Sequence, residues 1–392
     1  MGPLHGLRVI ELASIGPGPM CAMLLADLGA DVVRIDRLEP SGLGVPVEPR
    51  FDVPARSRRS IALDLKSDAG REAAHRLIAS ADVLIEGWRP GVAERLGLGP
   101  EDCHARHPGL VYGRMTGYGQ SGPLAQVAGH DINYIALCGA LHAIGGQGDG
   151  SDERPGPVPP LNLVGDYGGG ALYLTVGVLA ALFERQRSGR GQVVDAAMVD
   201  GVASLLSLFH GLAAGGLWDA SRRRSNLLDG AAPFYSTYET ADGKWLAVGA
   251  LEPKFFAELA ERVGLDSRFV ERQYDRLLWP EMREALATVF KQRTRDEWTE
   301  LLQGSDACAS PVLTMAEAAE HPHAQQRQSF LDVGGVMQPA PAPRFGRSRP
   351  NAPRPAPLLG QHTRELLMEA GYSEPDISAL LASGRARQTM PA

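Results

Sequence analysis

Cysteine is scarce in this chain. Only Cys21, Cys103, Cys138 and Cys308 occur, far apart and at no paired or metal-ligand spacing. That excludes a zinc ribbon or a disulfide scaffold and fits a reducing compartment. A basic excess is lacking too: 39 lysines and arginines stand against 46 acidic residues, a formal net charge of −7. The chain as a whole is therefore a poor binder of nucleic acid or any other polyanion. No long apolar run is present, and the apolar part of Ala171 to Phe183 is too short and too glycine-led for a membrane span. The opening MGPLHGLRVIEL has neither the basic start nor the apolar core of a secretion signal, and the closing QTMPA is not the peroxisomal tripeptide. The expectation is a cytoplasmic enzyme with no metal and with neither a membrane nor a nucleic acid as partner.

What is present is a soluble globular composition, 44% hydrophobic and 22% charged, at a length that suits two domains. Leu7 to Leu12, Asp31 to Ile35, Ser60 to Leu65, Asp82 to Ile85 and Leu110 to Gly113 read as strands. Met20 to Leu28 and Ala69 to Ala79, the latter capped by Ser67, read as helices. This alternation predicts an α/β domain whose parallel sheet is covered on both faces. Further on, Phe234 to Val248 predicts a hairpin that turns at Asp242 and Gly243. Helices are expected at Pro253 to Val263, Pro280 to Lys291, Asp296 to Leu302 and Met315 to Glu320. The predicted division is a large domain begun by residues 1–200, a linker over 201–228, and a small α+β domain over 229–325. An extended Pro-rich return over 326–392 then ends in two helices of the large domain.

The turn ASIGPGPMCA comes close to a dinucleotide fingerprint, with Asp36 about twenty residues on. Pro17 and Pro19, however, remove the N–H donors that a pyrophosphate needs. A structural turn, with Ile15, Met20 and Met23 lining an apolar pocket, fits better. Arg34, Arg37, Lys66 and Arg89 fall near strand ends, where open parallel sheets gather ligands, and together suit a phosphorylated carrier. Arg56, Arg58 and Arg59, and again Arg222 to Arg224, form local clusters of the same kind. Two motifs stand out: GHDINY, Gly129 to Tyr134, and NLVGDYGGG, Asn162 to Gly170. Each puts an ionisable side chain, His130 or Asp166, just before an expected helix. A histidine beside an apolar face is commonly structural and an aspartate at a helix start is commonly a cap. As a pair, they suit proton transfer at a weakly acidic carbon. Gly168 to Gly170 imply that something approaches the backbone closely there.

These motifs, the hairpin GAAPFYSTYETADGKWLAVGALEP, the opening ELASIGPGPMCAMLLADLGADVVRIDR, and RRSIALDLK, RPGVAERLGLGP and GQHTRELL resemble, in order and over nearly the whole chain, the α-methylacyl-CoA racemases of the family III CoA-transferase superfamily. The resemblance implies a large Rossmann-like domain, a small α+β domain, and an interlocked homodimer with its active site between the large domain of one subunit and the small domain of the other. It implies that His130 and Asp166 are the two acid/bases and that Glu252 orients or shares a proton with the histidine. Arg37, Leu63, Asp64, Leu65, Lys66, Arg89, Gly129, Asp131, Ile132, Asn133 and Tyr134 match positions that contact CoA. The implied reaction interconverts (R)- and (S)-2-methylacyl-CoA thioesters through an enolate, with CoA as part of the substrate and no cofactor. Backbone N–H groups after Asp166 are candidate donors to the enolate oxygen. The Gly- and Asp-rich stretch GGQGDGSDERPG, residues 145–156, departs from the pattern and reads as a surface loop.

Three rivals remain at this point. A CoA-transferase of the same fold would use Asp166 as nucleophile, through an anhydride and an enzyme thioester, but has no need of His130 with Glu252. An NAD-dependent dehydrogenase is weakened by Pro17 and Pro19. A non-catalytic acyl-CoA-binding module would bind the thioester without exchanging its α-proton.

Overall fold

A computed structural model describes residues 1–146 and 156–390. The Gly- and Asp-rich stretch therefore lies almost wholly outside the described residues. The chain forms two compact units: one of Met1–Cys138, Leu161–Leu205 and Gln328–Ala392, the other of Gly139–Pro160 and Leu206–Arg327.

The first unit is built on six parallel strands: β1 (Arg8–Leu12), β2 (Asp31–Asp36), β3 (Arg59–Leu63), β4 (Val83–Glu86), β5 (Val111–Thr116) and β6 (Val193–Ala197). They lie in the order 3-2-1-4-5-6, and a short antiparallel strand, Ala386–Arg387, closes the β3 edge. Successive side chains on a strand point to opposite faces, so Ile10, Leu12, Val33, Ile35 and Leu84 join one core. Val9, Val32, Val83 and Ile85 join the other. The first core is covered by the helix Asp68–Ala79, capped by Ser67 Oγ accepting from the Gly70 N–H at 3.1 Å. Leu366, Leu367, Ile377 and Leu380 of the two C-terminal helices, Thr363–Glu369 and Glu374–Ala382, complete it.

Two expectations fail here. The helix over Ala171 to Phe183 is part of a 26-residue helix, Leu163–Ser188, long and apolar enough by composition to cross a membrane. Leu174, Val178, Ala181 and Leu182 instead bury against the sheet. It begins as a π-helix, Leu163–Leu172, and continues as an α-helix, Tyr173–Ser188. Its glycines serve helix contacts. A Cβ on Gly169 would lie 2.6 Å from Val202 Cγ2, and one on Gly170 would lie 2.9 Å from Met198 Cγ and 3.0 Å from Pro17 Cβ. The neighbouring helix Met198–Leu205 answers with Gly201, whose Cβ would lie 1.9 Å from the Gly169 carbonyl oxygen.

The run Arg56 to Arg59 is not a ligand cluster either. Arg56 is buried and donates to Asp27, Nε to Oδ1 at 3.1 Å. Arg58 and Glu11 form a fully buried pair, Nε to Oε2 at 2.5 Å, and Arg58 also donates to the carbonyls of Pro19 and Pro54. Arg59 is held by Asp31 at 2.7 Å, Glu365 at 2.6 Å and Glu369.

The second unit carries the expected hairpin, β7 (Tyr235–Glu239) against β8 (Trp245–Gly249), with Gly243 at φ 75° in the turn. A third strand, β9 (Ala309–Pro311), pairs with β8. Helices Pro253–Val263, Trp279–Phe290, Arg295–Leu302 and Met315–Glu320 follow the expected spans closely. Phe234, Phe256, Phe269, Phe290 and Trp298 fill the core.

Glu11→Ala would strand Arg58 as an unpaired buried charge. The expected loss is about 3–5 kcal/mol of unfolding free energy, read by urea denaturation; a loss within ~0.5 kcal/mol would contradict this account.

Candidate active site

In an open parallel sheet, ligands collect beyond the carboxyl ends of the strands, where the strand order reverses. Here the reversal lies between β1 and β4. The loops that leave β1, β2, β4 and β5 enclose a cavity of about 1160 Å³ whose lining residues all belong to the first unit. Ser14 to Pro17 leave β1, Arg37 leaves β2, Gly87 to Pro90 leave β4, and Gly117 and Tyr118 leave β5.

His130 and Asp166 both line this cavity. His130 holds the cap position of the helix Asp131–Leu137 and is exposed. Its N–H donates to Asn133 Oδ1 at 3.0 Å, so Asn133 reaches back to the helix start and does not line the cavity. Tyr134 steadies the same segment. Its hydroxyl donates to the Gly129 carbonyl, and its ring meets Tyr118 edge-on at 5.0 Å. A Cβ on Gly117 would lie 2.2 Å from that ring, so glycine is needed to admit it.

Asp166 sits inside the first π-helical turn, not before a helix as expected; Asn162 occupies the cap position. The Asp166 N–H donates to Asp131 Oδ1 at 2.7 Å, and the Tyr167 N–H to the Asn162 carbonyl at 3.3 Å. These N–H groups are spoken for, so they do not serve an enolate oxygen. Asn162 Nδ2 donates to Asp166 Oδ2 at 3.2 Å. On the opposite side is Gly16, at φ 69°, where a Cβ would lie 3.1 Å from the same oxygen. Burial raises the Asp166 carboxyl above the usual aspartate range. The Asn162 hydrogen bond lowers it, the charge of Asp131 raises it, and His130 lowers it.

The expected CoA contacts divide sharply. Arg37, Arg89, Gly129 and Tyr134 line the cavity, and Arg37 and Arg89 are exposed. Leu63, Asp64, Leu65, Lys66, Asp131, Ile132 and Asn133 do not line it. Leu63 is buried in the sheet core, so its side chain is not open to a ligand. Asp64 pairs with Arg385 at 2.8 Å, Leu65 packs on the core, and Lys66 is exposed with its N–H on Asp64 Oδ1 at 3.1 Å. Asp131 is buried beneath Asp166, and Ile132 is exposed. Arg34 lines the cavity but is paired with Asp36 at 3.0 Å. Glu252 lies in the second unit, exposed at the cap position of the helix Pro253–Val263. Sequence reasoning missed Asn162, although its spacing of four from Asp166 puts both on one helix face.

A family model described as CoA-transferase family III matches residues 4–363. The α-methylacyl-CoA racemase of Mus musculus is 48% identical over 380 residues, covering 96% of each chain. That of Homo sapiens is 44% identical over 382 residues, again 96% of each. Among solved structures, a CAIB/BAIF family protein from Brucella suis matches with a TM-score of 0.78 at 28% identity, over 94% of this chain and 99% of that one.

Because the folded state raises the Asp166 carboxyl, folding takes up a proton between the ordinary aspartate value and the raised one. The penalty is present above that window and vanishes below it. Asp166→Asn should therefore raise the thermal unfolding midpoint by a few degrees at neutral pH and give no gain below the ordinary aspartate range. A lowered midpoint at neutral pH would contradict the assignment.

Proposed function

This chain belongs to CoA-transferase family III, and within it we propose that the protein is an α-methylacyl-CoA racemase, interconverting (R)- and (S)-2-methylacyl-CoA thioesters. The observation that carries the reading is that His130 and Asp166, two groups able to take and give protons, line one cavity. They enter it from different elements, the helix after β5 and the π-helical turn, and so can flank a bound carbon.

The hydrogen on a carbon next to a thioester carbonyl is a weak acid, and its removal leaves an enolate. His130 takes the α-proton from one face of one enantiomer, and Asp166 returns a proton to the other face. For the opposite enantiomer the roles exchange. The raised Asp166 carboxyl favours the protonated form that a donor must have. An anionic nucleophile, as a transferase requires, is served worse by the same environment. Arg37 and Arg89 have no ion-pair partner among the described residues and stand at the cavity as cations for the phosphates of CoA. We further infer that the enzyme acts in the cytoplasm without a cofactor, as an interlocked homodimer, and that Glu252 orients His130 or shares a proton with it.

A single-enantiomer 2-methylacyl-CoA in deuterated water should lose chirality and gain deuterium at the α-carbon. His130→Ala and Asp166→Asn should each slow this by ~100- to 10,000-fold. Inactivation by hydroxylamine only in the presence of acyl-CoA would favour the transferase instead.

Arg37→Ala and Arg89→Ala should each weaken CoA binding by about tenfold, measured calorimetrically. Unchanged affinity in both would remove these arginines from the site.

A further inference from the structure

Asp131 directly follows His130 and opens the helix Asp131–Leu137. The residue is buried, only 8% exposed. One oxygen, Oδ1, accepts the Asp166 N–H at 2.7 Å; the other, Oδ2, is buried with no hydrogen-bond partner. A buried carboxylate oxygen left without a donor is costly, so the position calls for an explanation. The first N–H groups of a helix lack partners within it, and a π-helix leaves one more unpaired than an α-helix. Tyr167 is bonded to Asn162 five residues back, so Asp166 carries the last unpaired N–H of the turn. Asp131 satisfies it. The approach is possible only because residue 165 is glycine: a Cβ there would lie 2.4 Å from Asp131 Oδ1 and 2.8 Å from its Cγ.

We infer that Asp131 acts on the reaction through Asp166: its carboxylate fixes the wide turn that aims Asp166 into the cavity and sets a second negative charge beside it. The Asp131 side chain is thus a positioning group, and it ties the segment bearing His130 to the turn bearing Asp166. The ionisable groups acting on Asp166 are Asp131 and His130. Tyr134, from the same helix as Asp131, lines the same cavity as Asp166 and is close enough for their charges to interact. Against the glycines of the turn, the helices Pro17–Asp27 and Met198–Leu205 bring side-chain carbons of Pro17, Met198 and Val202 together with the Val202 backbone nitrogen and the Met198 carbonyl oxygen, and no titratable side chain is among these nearest atoms. A like charge at this distance favours the protonated carboxyl, the form needed whenever Asp166 gives a proton to the enolate. The inference rests on the racemase reading for its catalytic consequence, but its physical core does not.

The test uses the full-length protein. Asp131→Asn keeps an oxygen acceptor for the Asp166 N–H and removes the charge; Asp131→Ala removes both. The Asp166 carboxyl, assigned by loss of its signal in Asp166→Asn, is titrated by carbon-13 NMR without substrate. Deuterium exchange at the α-carbon of 2-methylacyl-CoA is followed against pH. With Asp131→Asn, the Asp166 titration and the exchange profile should both move to lower pH, with KM unchanged within about twofold. Asp131→Ala should lower kcat by about tenfold or more, again with little change in KM. An Asp166 titration in Asp131→Asn that superimposes on wild type overturns the inference, as does wild-type kcat in Asp131→Ala. Should Asp131→Ala not fold, the titration of Asp131→Asn decides. A shifted titration in a protein whose wild type exchanges no α-proton supports this coupling while sinking the racemase reading.

Discussion

At β1 the sheet changes its direction of growth. β2 and β3 are added on one side and β4, β5 and β6 on the other, so the segments that leave β1 and β4 must part toward opposite faces. The gap between them opens at the carboxyl edge, with Ser14 to Pro17 on one wall and Gly87 to Pro90 on the other. The buried Arg58–Glu11 pair lies below this gap, on the second-to-last residue of β1. Through its bond to the Pro19 carbonyl, Arg58 ties the turn after β1 to the sheet. That turn is where Gly16 comes against Asp166. The place of the Asp166 carboxyl at the cavity thus traces back, through one glycine and one buried ion pair, to the order of six strands.

The strands were legible because each carries a compact run of β-branched or aliphatic residues bounded by turn residues, as in RVIEL, DVVRID and RSIAL. β6, VVDAA, was not: an aspartate sits at its centre and only its last two residues are buried. The hairpin Phe330–Val333 with Val336–Pro339 was hidden inside a segment whose prolines suggest only extended chain. His130 and Asp166 could be picked out by motif, and the glycines after Asp166 do mark a close approach to the backbone, but what approaches is a neighbouring helix. A glycine run ordinarily marks a break, whereas here its cost in helix stability is offset by contact with Met198, Val202 and Gly201 across the neighbouring helix. Whether a glycine makes room for a ligand or for a helix depends on a partner thirty residues away, and no local pattern reveals it.

The arginines teach the same lesson for charge. In sequence, Arg56, Arg58 and Arg59 form the densest early cluster, while Arg37 and Arg89 stand nearly alone. Folding inverts their value. The clustered residues meet Asp27, Glu11 and Asp31, and Arg114 meets Glu86 at 2.8 Å and Glu94 at 2.8 Å. Asp31 opens β2, and Glu11 and Glu86 lie at or beside the ends of β1 and β4. Buried on their strands, Glu11 and Glu86 need a cation to remain charged and take Arg58 and Arg114, while Arg56 is taken by Asp27 at the end of a helix and Arg59 by the exposed Asp31. Arg37 escapes because it lies one residue past β2, and Arg89 because it lies three past β4. What an acidic protein offers an anionic carrier is therefore set by how many arginines its own acids leave unclaimed, and here those fall where the strands end.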